Sequence, residues 1–387
     1  MPDEKKSATV SAAVTPETPA AAPAVAAPII PSAAPVTASA APPVLPLPPT
    51  PPEAQPQTHA PAPEPPPSTS TPAPPEKFGI LPEAQAPQLS NEPPKRAELV
   101  EAPEPKTEMD YAGWQVQLER NHFCCGTIDG DFGMRSKRAV TQFQKNRGLP
   151  PTGILDETTR AAIGMPGNPF TTYVVTDADI AMIQPAPALW RDKAKATYLG
   201  YKDAWDMLAE KFHSSPQFIQ TLNPGVTSVV SGATLTVPNL EPNVPLPKAG
   251  KITILLSETT LLVYDKTGKV IACFPCSIAA DKNKRPNGQL TVVTGALNPN
   301  YTFNPDVLKE AAAREGITNR MIIPPGPRNP VGLAWITLSL PGYGIHGTPD
   351  PMDISRTGSH GCFRLANWNA LKLFKIVSKG VPVDVEE

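Results

Sequence analysis

Aromatic residues are almost absent from the first 107 residues of this 387-residue sequence, where Phe78 is the only one. The same stretch holds 29 of the 53 prolines, and most of its other residues are alanine, threonine, serine or glutamate. A segment of this composition cannot bury enough apolar surface to offset the conformational entropy that ordering costs. We therefore expect residues 1–107 to be a disordered tether with polyproline II character.

A surplus of charge of either sign is also missing, since 34 lysines and arginines face 36 aspartates and glutamates and the net charge is −2. A nearly neutral chain carries no basic footprint for a polyanion, so we expect no nucleic-acid partner. No apolar run is long enough for a transmembrane helix. The N-terminus also shows no clear export signal, because Pro23 and Pro28 interrupt the nearest apolar candidate, residues 20–30.

Cysteine is scarce, and the five cysteines do not have the spacing of a disulfide framework. They are Cys124, Cys125, Cys273, Cys276 and Cys362. Cys273 and Cys276 form a C-x-x-C pattern, which can be a redox pair or half of a metal site. No second pair and no suitably spaced histidine accompanies it, and residues three apart in a strand point to opposite faces. We therefore expect no metal site, and packing roles for this pair and for Cys124 and Cys125.

A cysteine with two histidines near the C-terminus is the strongest candidate for chemistry. Cys362 lies two residues after His360 and sixteen after His346. A free cysteine titrates near about 8.5 and the thiolate is the nucleophile, so a neighbouring imidazole is what the chemistry requires. If residues 359–364 are extended, His360 and Cys362 share one face. Gly361 would let another chain approach closely and would expose N–H groups where an oxyanion forms.

Residues 108–167 are predicted to form three short helices around one apolar cluster. Trp114 and Leu118 have the i, i+4 spacing of one helical face. Three further stretches, at 128–133, 139–144 and 152–156, read I-D-G-x-F-G, A-V-x-x-F-Q and T-G-x-L-D. In these patterns the segment resembles the family of small three-helix peptidoglycan-binding domains.

Residues 171–240 show a weaker pattern of two short helices followed by a Leu-Asn-Pro turn and a strand. The predicted elements are 203–212, 215–222 and 235–238. In this order the segment resembles the LysM module, an α/β unit that binds the glycan of peptidoglycan or chitin. Its first strand would lie near Tyr173 or near Tyr198, and a purely structural linker domain is the alternative. Prolines then mark residues 241–250 as a linker.

From residue 251 onward the sequence predicts a β-rich domain, because short β-branched runs are separated by turns. The predicted strands are 252–256, 260–264, 270–274, 290–293, 335–340, 344–346 and 381–385, and the predicted helices are 307–314 and 368–377. The expected fold class is α+β and multidomain. Its expected parts are the disordered Pro/Ala-rich tether 1–107, the three-helix domain 108–167, the LysM-like module 171–240, the linker 241–250 and a catalytic domain 251–387.

Four stretches of this last domain form a specific combination. Residues 345–348 read Ile-His-Gly-Thr, and residues 359–364 read Ser-His-Gly-Cys-Phe-Arg. Upstream, residues 325–332 read Pro-Gly-Pro-Arg-Asn-Pro-Val-Gly, and Pro-Asn-Gly at 286–288 fits a Thr-Pro-x-Gly turn with Arg285 in place of threonine. In all four stretches the domain resembles the L,D-transpeptidase catalytic domain of the YkuD family.

The resemblance implies a role for each motif residue. Cys362 would be the nucleophile, His346 the proton donor and acceptor that activates it, and His360 a structural histidine beside the thiol. Gly361 and the backbone N–H of Cys362 would hold the oxyanion. Arg364 would pair with a carboxylate of the stem peptide, with an internal salt bridge as the alternative. The implied substrate-binding residues are Ser359, Gly361, Arg364 and Gly347.

The resemblance also implies the reaction. Such an enzyme cleaves the peptidoglycan tetrapeptide stem before its terminal D-alanine through a cysteine thioester and passes the acyl group to an amine, on a second stem or on an envelope protein. No cofactor is implied. We expect a monomer in the cell envelope that acts in cell-wall cross-linking and cell shape, with the stem peptides and glycan of peptidoglycan as partners. The alternatives are an L,D-carboxypeptidase that uses water and a non-catalytic wall-anchoring protein.

Overall fold

The computed structural model describes residues 105–164, 167–242, 244–359 and 361–387. Apart from its last three residues, the predicted tether lies outside the described residues. The helices are α1 (Glu108–Arg120), α2 (Met134–Arg147), α3 (Glu157–Ile163), α4 (Asp177–Ala181), α5 (Trp190–Lys193), α6 (Ala204–Lys211), α7 (Pro216–Leu222), α8 (Lys309–Glu315) and α9 (Asn367–Ile376). Within these ranges no helix combines the length and the apolar character needed to cross a membrane.

The strands are short, and most lie in the second half of the chain. They are β1 (Phe170–Val174), β2 (Thr234–Pro238), β3 (Lys251–Leu255), β4 (Thr260–Tyr264), β5 (Val270–Pro275), β6 (Gly288–Leu297), β7 (Tyr301–Phe303), β8 (Met321–Ile323), β9 (Ala334–Leu338), β10 (Gly344–His346), β11 (Phe363–Arg364) and β12 (Pro382–Glu386). The chain is therefore α+β, as predicted.

Capping and apolar packing together define the three helices of the first segment. Thr107 and Asp110 form a capping box at the start of α1, since each side chain accepts a hydrogen bond from the other's backbone N–H. Helix α2 ends where Gly148 adopts a left-handed conformation with φ of 68°. The rings of Phe123 and Phe143 meet edge to face with centroids 5.3 Å apart in the buried centre. The three predicted helices are thus present.

The middle segment is a two-stranded antiparallel sheet, β1 with β2, and helices α6 and α7 lie between these strands in sequence. Its apolar cluster includes Leu208, Ile219 and Val237, all fully buried. The first strand is the one near Tyr173, whereas Tyr198 lies outside every strand. The order of elements matches the prediction, and the LysM assignment stays a prediction.

An eight-stranded mixed sheet forms the centre of the C-terminal domain, in the order β11-β10-β9-β6-β12-β3-β4-β5. The β10–β11 and β12–β3 pairs are parallel, and the other pairs are antiparallel. Helix α9 packs against β9 and β10, and its Leu373 and Ile376 join the buried cluster of the sheet. The predicted strands and helices are all present here, with shifted ends.

One lobe of this domain was not predicted in full. Strands β7 and β8 pair with each other apart from the main sheet, and α5 and α8 pack with them around Phe303 and Ile323. The sequence predicted the helix near 307–314 but neither strand, and it did not predict α5. A strand of three residues offers too few positions for an apolar–polar alternation to be recognised.

The edge strand β5 is covered by the first segment. Cys124 N–H donates to the Cys273 carbonyl and Cys273 N–H donates to the His122 carbonyl, both at 2.9 Å. This backbone pairing occupies an edge that would otherwise present open donors and acceptors. Cys273 packs among the helices of the first segment, whereas Cys276 packs in the core of the sheet. The two thiols of the C-x-x-C pattern thus belong to different clusters, and all five cysteines are free.

A buried carboxylate joins the three segments. Glu119 of α1 is 3% exposed, and its Oε1 accepts from Lys372 Nζ of α9 at 2.5 Å and contacts His213 Nδ1 at 2.8 Å. Burial alone would raise the pKa of Glu119, but Lys372 and His213 together hold it below its ordinary value. The imidazole of His213 also stacks on the indole of Trp368, with centroids 5.0 Å apart.

Replacing Lys372 with methionine should destabilise the protein by about 3–5 kcal/mol at pH 7, because the buried Glu119 carboxylate loses its ammonium partner. Stability is measured by urea unfolding, as the urea concentration at the midpoint of the transition. A carboxyl group whose pKa is lowered on folding stabilises the protein above its unfolded pKa and loses that contribution as the pH falls. The deficit of the variant should therefore shrink below about pH 4.3.

Lys375→Met is the matched control, because Lys375 lies on the same helix and is exposed. It should change stability by less than about 0.5 kcal/mol. Equal urea midpoints for the two variants at pH 7 would show that the buried carboxylate of Glu119 does not need Lys372 for the stability of the fold.

Candidate active site

The candidate site is built on the parallel pairing of β10 with β11, in which Ile345 pairs with Phe363 and His346 with Arg364. Ile345 and Phe363 are fully buried in the core of the sheet. Side chains alternate along a strand, so His346 and Arg364 project from the opposite face. Cys362 immediately precedes β11, and continuing the alternation places its side chain on that same face.

The approach to β11 is held by a neighbouring stretch of chain, residues 277–280. Ser277 and Arg364 exchange two backbone hydrogen bonds of 2.9 Å. Ser359 N–H donates to the Ile278 carbonyl at 2.8 Å, and Ala280 N–H donates to the Ser359 carbonyl at 3.0 Å. Two residues of the predicted motif, Ser359 and Arg364, are therefore fixed by backbone pairing on either side of Cys362.

The side chain of Ser359 also bonds to the two described residues that precede β11. Ser359 Oγ donates to the Cys362 carbonyl at 2.5 Å and accepts from Gly361 N–H at 3.2 Å. The Gly361 N–H is thus already hydrogen-bonded, and Ser359 links both Gly361 and Cys362. Gly361 faces the ring of Tyr343, where an added Cβ would lie 3.4 Å from a ring carbon. His360 lies outside the described residues.

His346 is buried and held in one orientation. Its side chain is 6% exposed, and Nδ1 lies 2.6 Å from the carbonyl oxygen of Gly347. Because a carbonyl only accepts, we assign the proton to Nδ1, which leaves Nε2 free to accept a proton. Burial, with the nearby charge of Arg364, lowers the pKa of His346 to about 4 despite that hydrogen bond. The imidazole is therefore neutral at neutral pH.

The indole of Trp335 covers one face of this imidazole. The two residues are paired across β9 and β10, and their rings stack with centroids 5.3 Å apart and planes 17° from parallel. The indole N–H of Trp335 donates to Thr337 Oγ1 at 2.9 Å, which fixes the ring. Trp335 was not predicted as a site residue. It starts a predicted strand, but only the strand register reveals that it faces His346.

Cys362 differs from the other four cysteines, which are buried, because it is of intermediate exposure. Its Sγ lies 3.6 Å from the Gly342 carbonyl, to which the thiol donates. Burial raises the pKa of Cys362, although a backbone hydrogen bond from Gly344 opposes the shift. Cys362 also adds to the effect of burial in raising the pKa of Tyr301. Tyr301 of β7 therefore lies near the thiol. With its raised pKa, the thiol of Cys362 is protonated at neutral pH.

Arg364 binds the loop that precedes the motif. Its Nη2 donates to the Gly358 carbonyl at 2.7 Å, to the Thr357 carbonyl at 3.0 Å and to Thr357 Oγ1 at 3.1 Å. The Nε atom is buried without a hydrogen-bond partner. Within the described ranges no carboxylate lies within ion-pair distance of this guanidinium.

Gly347 lies at a point of close approach. A Cβ on this residue would collide with the side-chain oxygen of Asn367, the first residue of α9. A larger residue would therefore move either the loop or the helix. No cluster of three or more metal-ligating side chains occurs in the described part of the chain. What the site offers is a thiol, a neutral imidazole and fixed backbone groups.

Two family models match the chain. Residues 249–385 match the L,D-transpeptidase catalytic domain of the YkuD family, and residues 114–163 match a peptidoglycan-binding domain. A Bacillus licheniformis protein that carries the name L,D-transpeptidase YkuD is 26% identical over 46% of this chain and 92% of its own length. The protein YcfS of Escherichia coli, also named as an L,D-transpeptidase, is 29% identical over 46% of this chain and 58% of its own length.

Among solved structures, an L,D-transpeptidase of Xylanimonas cellulosilytica overlaps 74% of this chain and 100% of its own, with 16% identity and a TM-score of 0.32. An L,D-transpeptidase of Mycobacterium smegmatis overlaps 41% of this chain, with 18% identity and a TM-score of 0.29. The family matches coincide with the two segments whose motifs pointed to these families. On the two family models, residues 249–385 are an L,D-transpeptidase catalytic domain of the YkuD family and residues 114–163 are a peptidoglycan-binding domain.

Proposed function

We propose that Cys362 attacks the carbonyl group that joins the third residue of a peptidoglycan tetrapeptide stem to its terminal D-alanine. The observation that carries this proposal is the neutral, oriented imidazole of His346 on the strand beside the one that Cys362 leads into. A nucleophile, a base and a third group that orients the base are the parts that nucleophilic catalysis needs. The Gly347 carbonyl is the orienting group.

In the first step, Cys362 Sγ bonds to the carbonyl carbon while the thiol proton passes to His346 Nε2. The C–N bond to D-alanine then breaks, the proton moves from Nε2 to the leaving amine, and a thioester remains. An acceptor amine attacks this thioester and gives its proton to His346. As the C–S bond breaks, that proton returns to Sγ. His360 would support the thiol, and the N–H of Cys362 would face the developing oxyanion.

The protonation states support concerted proton transfer in place of a preformed ion pair. Burial favours the neutral form of both Cys362 and His346. The thiol then becomes nucleophilic only as its proton leaves toward Nε2. For Arg364 the contacts favour a role in ordering residues 357–358 over direct binding of a substrate carboxylate, because Nη2 is already shared by three oxygens.

The other segments would keep the enzyme on its polymeric substrate. A peptidoglycan-binding domain precedes the catalytic domain, and the LysM-like middle segment would bind glycan. Linking binding modules to a catalytic domain raises the effective concentration of a polymer-bound substrate. This arrangement supports action in the cell envelope, in cell-wall cross-linking or in the attachment of an envelope protein to the wall.

Cys362→Ala should lower D-alanine release from a disaccharide-tetrapeptide by at least about 10³-fold, since loss of a nucleophile removes the covalent route. Mass spectrometry measures the release. Cys276→Ala, which removes a buried thiol of the sheet core, should retain release. The products identify the acceptor, because a cross-linked dimer requires an amine and a tripeptide requires water. Equal release by Cys362→Ala and the native enzyme would reject the proposal and favour a wall-anchoring role.

The pH dependence of kcat/KM should reflect the neutral imidazole. A base must be unprotonated to act, so activity should fall on the acid side only as the pH approaches about 4, the value to which burial lowers the pKa of His346. The ordinary histidine value is about 6.5. The profile is measured as D-alanine release between pH 3.5 and 8. A fall centred near 6.5 would contradict a buried neutral base.

A further inference from the structure

A carboxylate from the middle segment reaches the turn beside the proposed base. Glu210 of α6 is 9% exposed, and its Oε1 and Oε2 accept from Asn367 Nδ2 at 3.1 and 3.0 Å. The hydroxyl of Tyr201 donates to Oε1 at 3.1 Å. Burial raises the pKa of Glu210 to about 7, although both hydrogen bonds oppose the shift. Burying a carboxyl group destabilises the fold unless its hydrogen-bond partners are kept in place.

Asn367 connects this carboxylate to two loops of the catalytic domain. It is fully buried. Its Oδ1 accepts from Leu333 N–H at 3.0 Å, and its Nδ2 also donates to the Pro327 carbonyl at 3.2 Å. The amide therefore cannot rotate without losing bonds on both ends. Glu210 supplies the acceptors that fix which end of the amide faces the loops.

The oxygen end of this amide packs against two glycines. A Cβ on Gly332 or on Gly347 would collide with Asn367 Oδ1, and Gly332 has a φ of 62°, which a glycine adopts most easily. Gly347 is further held by its N–H, which donates to the Ala334 carbonyl at 3.1 Å. The carbonyl of the same Gly347 orients the imidazole of His346. Contacts thus run without a break from Glu210 to His346.

We propose that Glu210 is a positioning residue for the transpeptidation reaction, acting through Asn367 and Gly347 on the orientation of His346. This inference rests on the proposed role of His346 as the base. It means that the catalytic domain does not complete its own site, because the carboxylate comes from helix α6 of the middle segment. Glu210 lies outside residues 249–385, the part of the chain that matches the YkuD family.

The first experiment compares Glu210→Ala, Glu210→Leu and Glu210→Gln in the full chain. Alanine and leucine cannot accept a hydrogen bond, so both should lower kcat for D-alanine release by about 10–100-fold with KM nearly unchanged. Glutamine keeps one acceptor oxygen and should recover most of kcat. Leucine fills the space of the carboxylate and avoids a buried charge, so it stays informative if the alanine variant folds poorly.

The control is Gln217→Ala on α7, an exposed residue of the same segment, which should leave both constants unchanged. A kcat for Glu210→Leu equal to that of the native enzyme would overturn the proposal. A loss of kcat that Glu210→Gln also shows would overturn it as well. So would a change in KM without a change in kcat.

A second measurement is independent of turnover. Nitrogen NMR of the imidazoles, with the His346 signals assigned by a His346→Gln variant, should show Nδ1 protonated in the native enzyme and a mixture of tautomers in Glu210→Leu. Unchanged tautomers in Glu210→Leu would overturn the positioning role even if the variant loses activity. If Cys362→Ala retains activity while the tautomer shift appears, the proposed function fails and the link from Glu210 to His346 stands.

Discussion

The parallel pairing of β10 with β11 is the constraint on which the candidate active site depends. Two parallel strands cannot be joined by a tight hairpin, so the chain must leave the sheet after His346 and return before Phe363. Such connections commonly form a helix, but among the described residues of this one, 347–359 and 361–362, the only helical element is a short 3₁₀ turn, Pro351–Asp353. Its conformation must therefore be fixed by polar contacts. Arg364 and residues 277–280 supply them, which explains why the arginine of the motif faces its own loop.

Burial at this strand pair also affects the protonation of the candidate nucleophile and base. A medium of low dielectric constant disfavours charge, so it lowers the pKa of His346 and raises that of Cys362. The free enzyme then holds a thiol that is less reactive than a thiolate, which limits oxidation and unwanted acylation. In the mechanism we propose, reactivity would return when a substrate carbonyl lies near enough for Sγ attack to be coupled to proton transfer. The Gly347 carbonyl keeps Nε2 available for that transfer.

Local sequence patterns were sufficient for most helices, most strands and the motif that contains Cys362, but not for the short helices α4 and α5. Periodicity and motif spacing are properties of neighbouring residues. They were insufficient for contacts that depend on strand register or on packing between segments. The stacking of Trp335 on His346 requires the β9–β10 register. The contact of Glu210 with Asn367 joins residues that are 157 positions apart. Neither contact leaves a signal in the composition or spacing of the sequence, and the three-residue strands β7 and β8 were too short to predict.

The same long-range contacts change how the domain organisation is understood. Predicted boundaries describe separate modules, yet three junctions between the described segments are buried and polar. The backbone at Cys124 covers the sheet edge, Glu119 pairs with Lys372, and Glu210 bonds to Asn367. A buried charge separated from its partner is strongly destabilising, so these segments cannot part without a large cost in free energy. These buried contacts therefore couple the three segments, and in the function we propose a segment that binds the wall would act on the framework that holds His346.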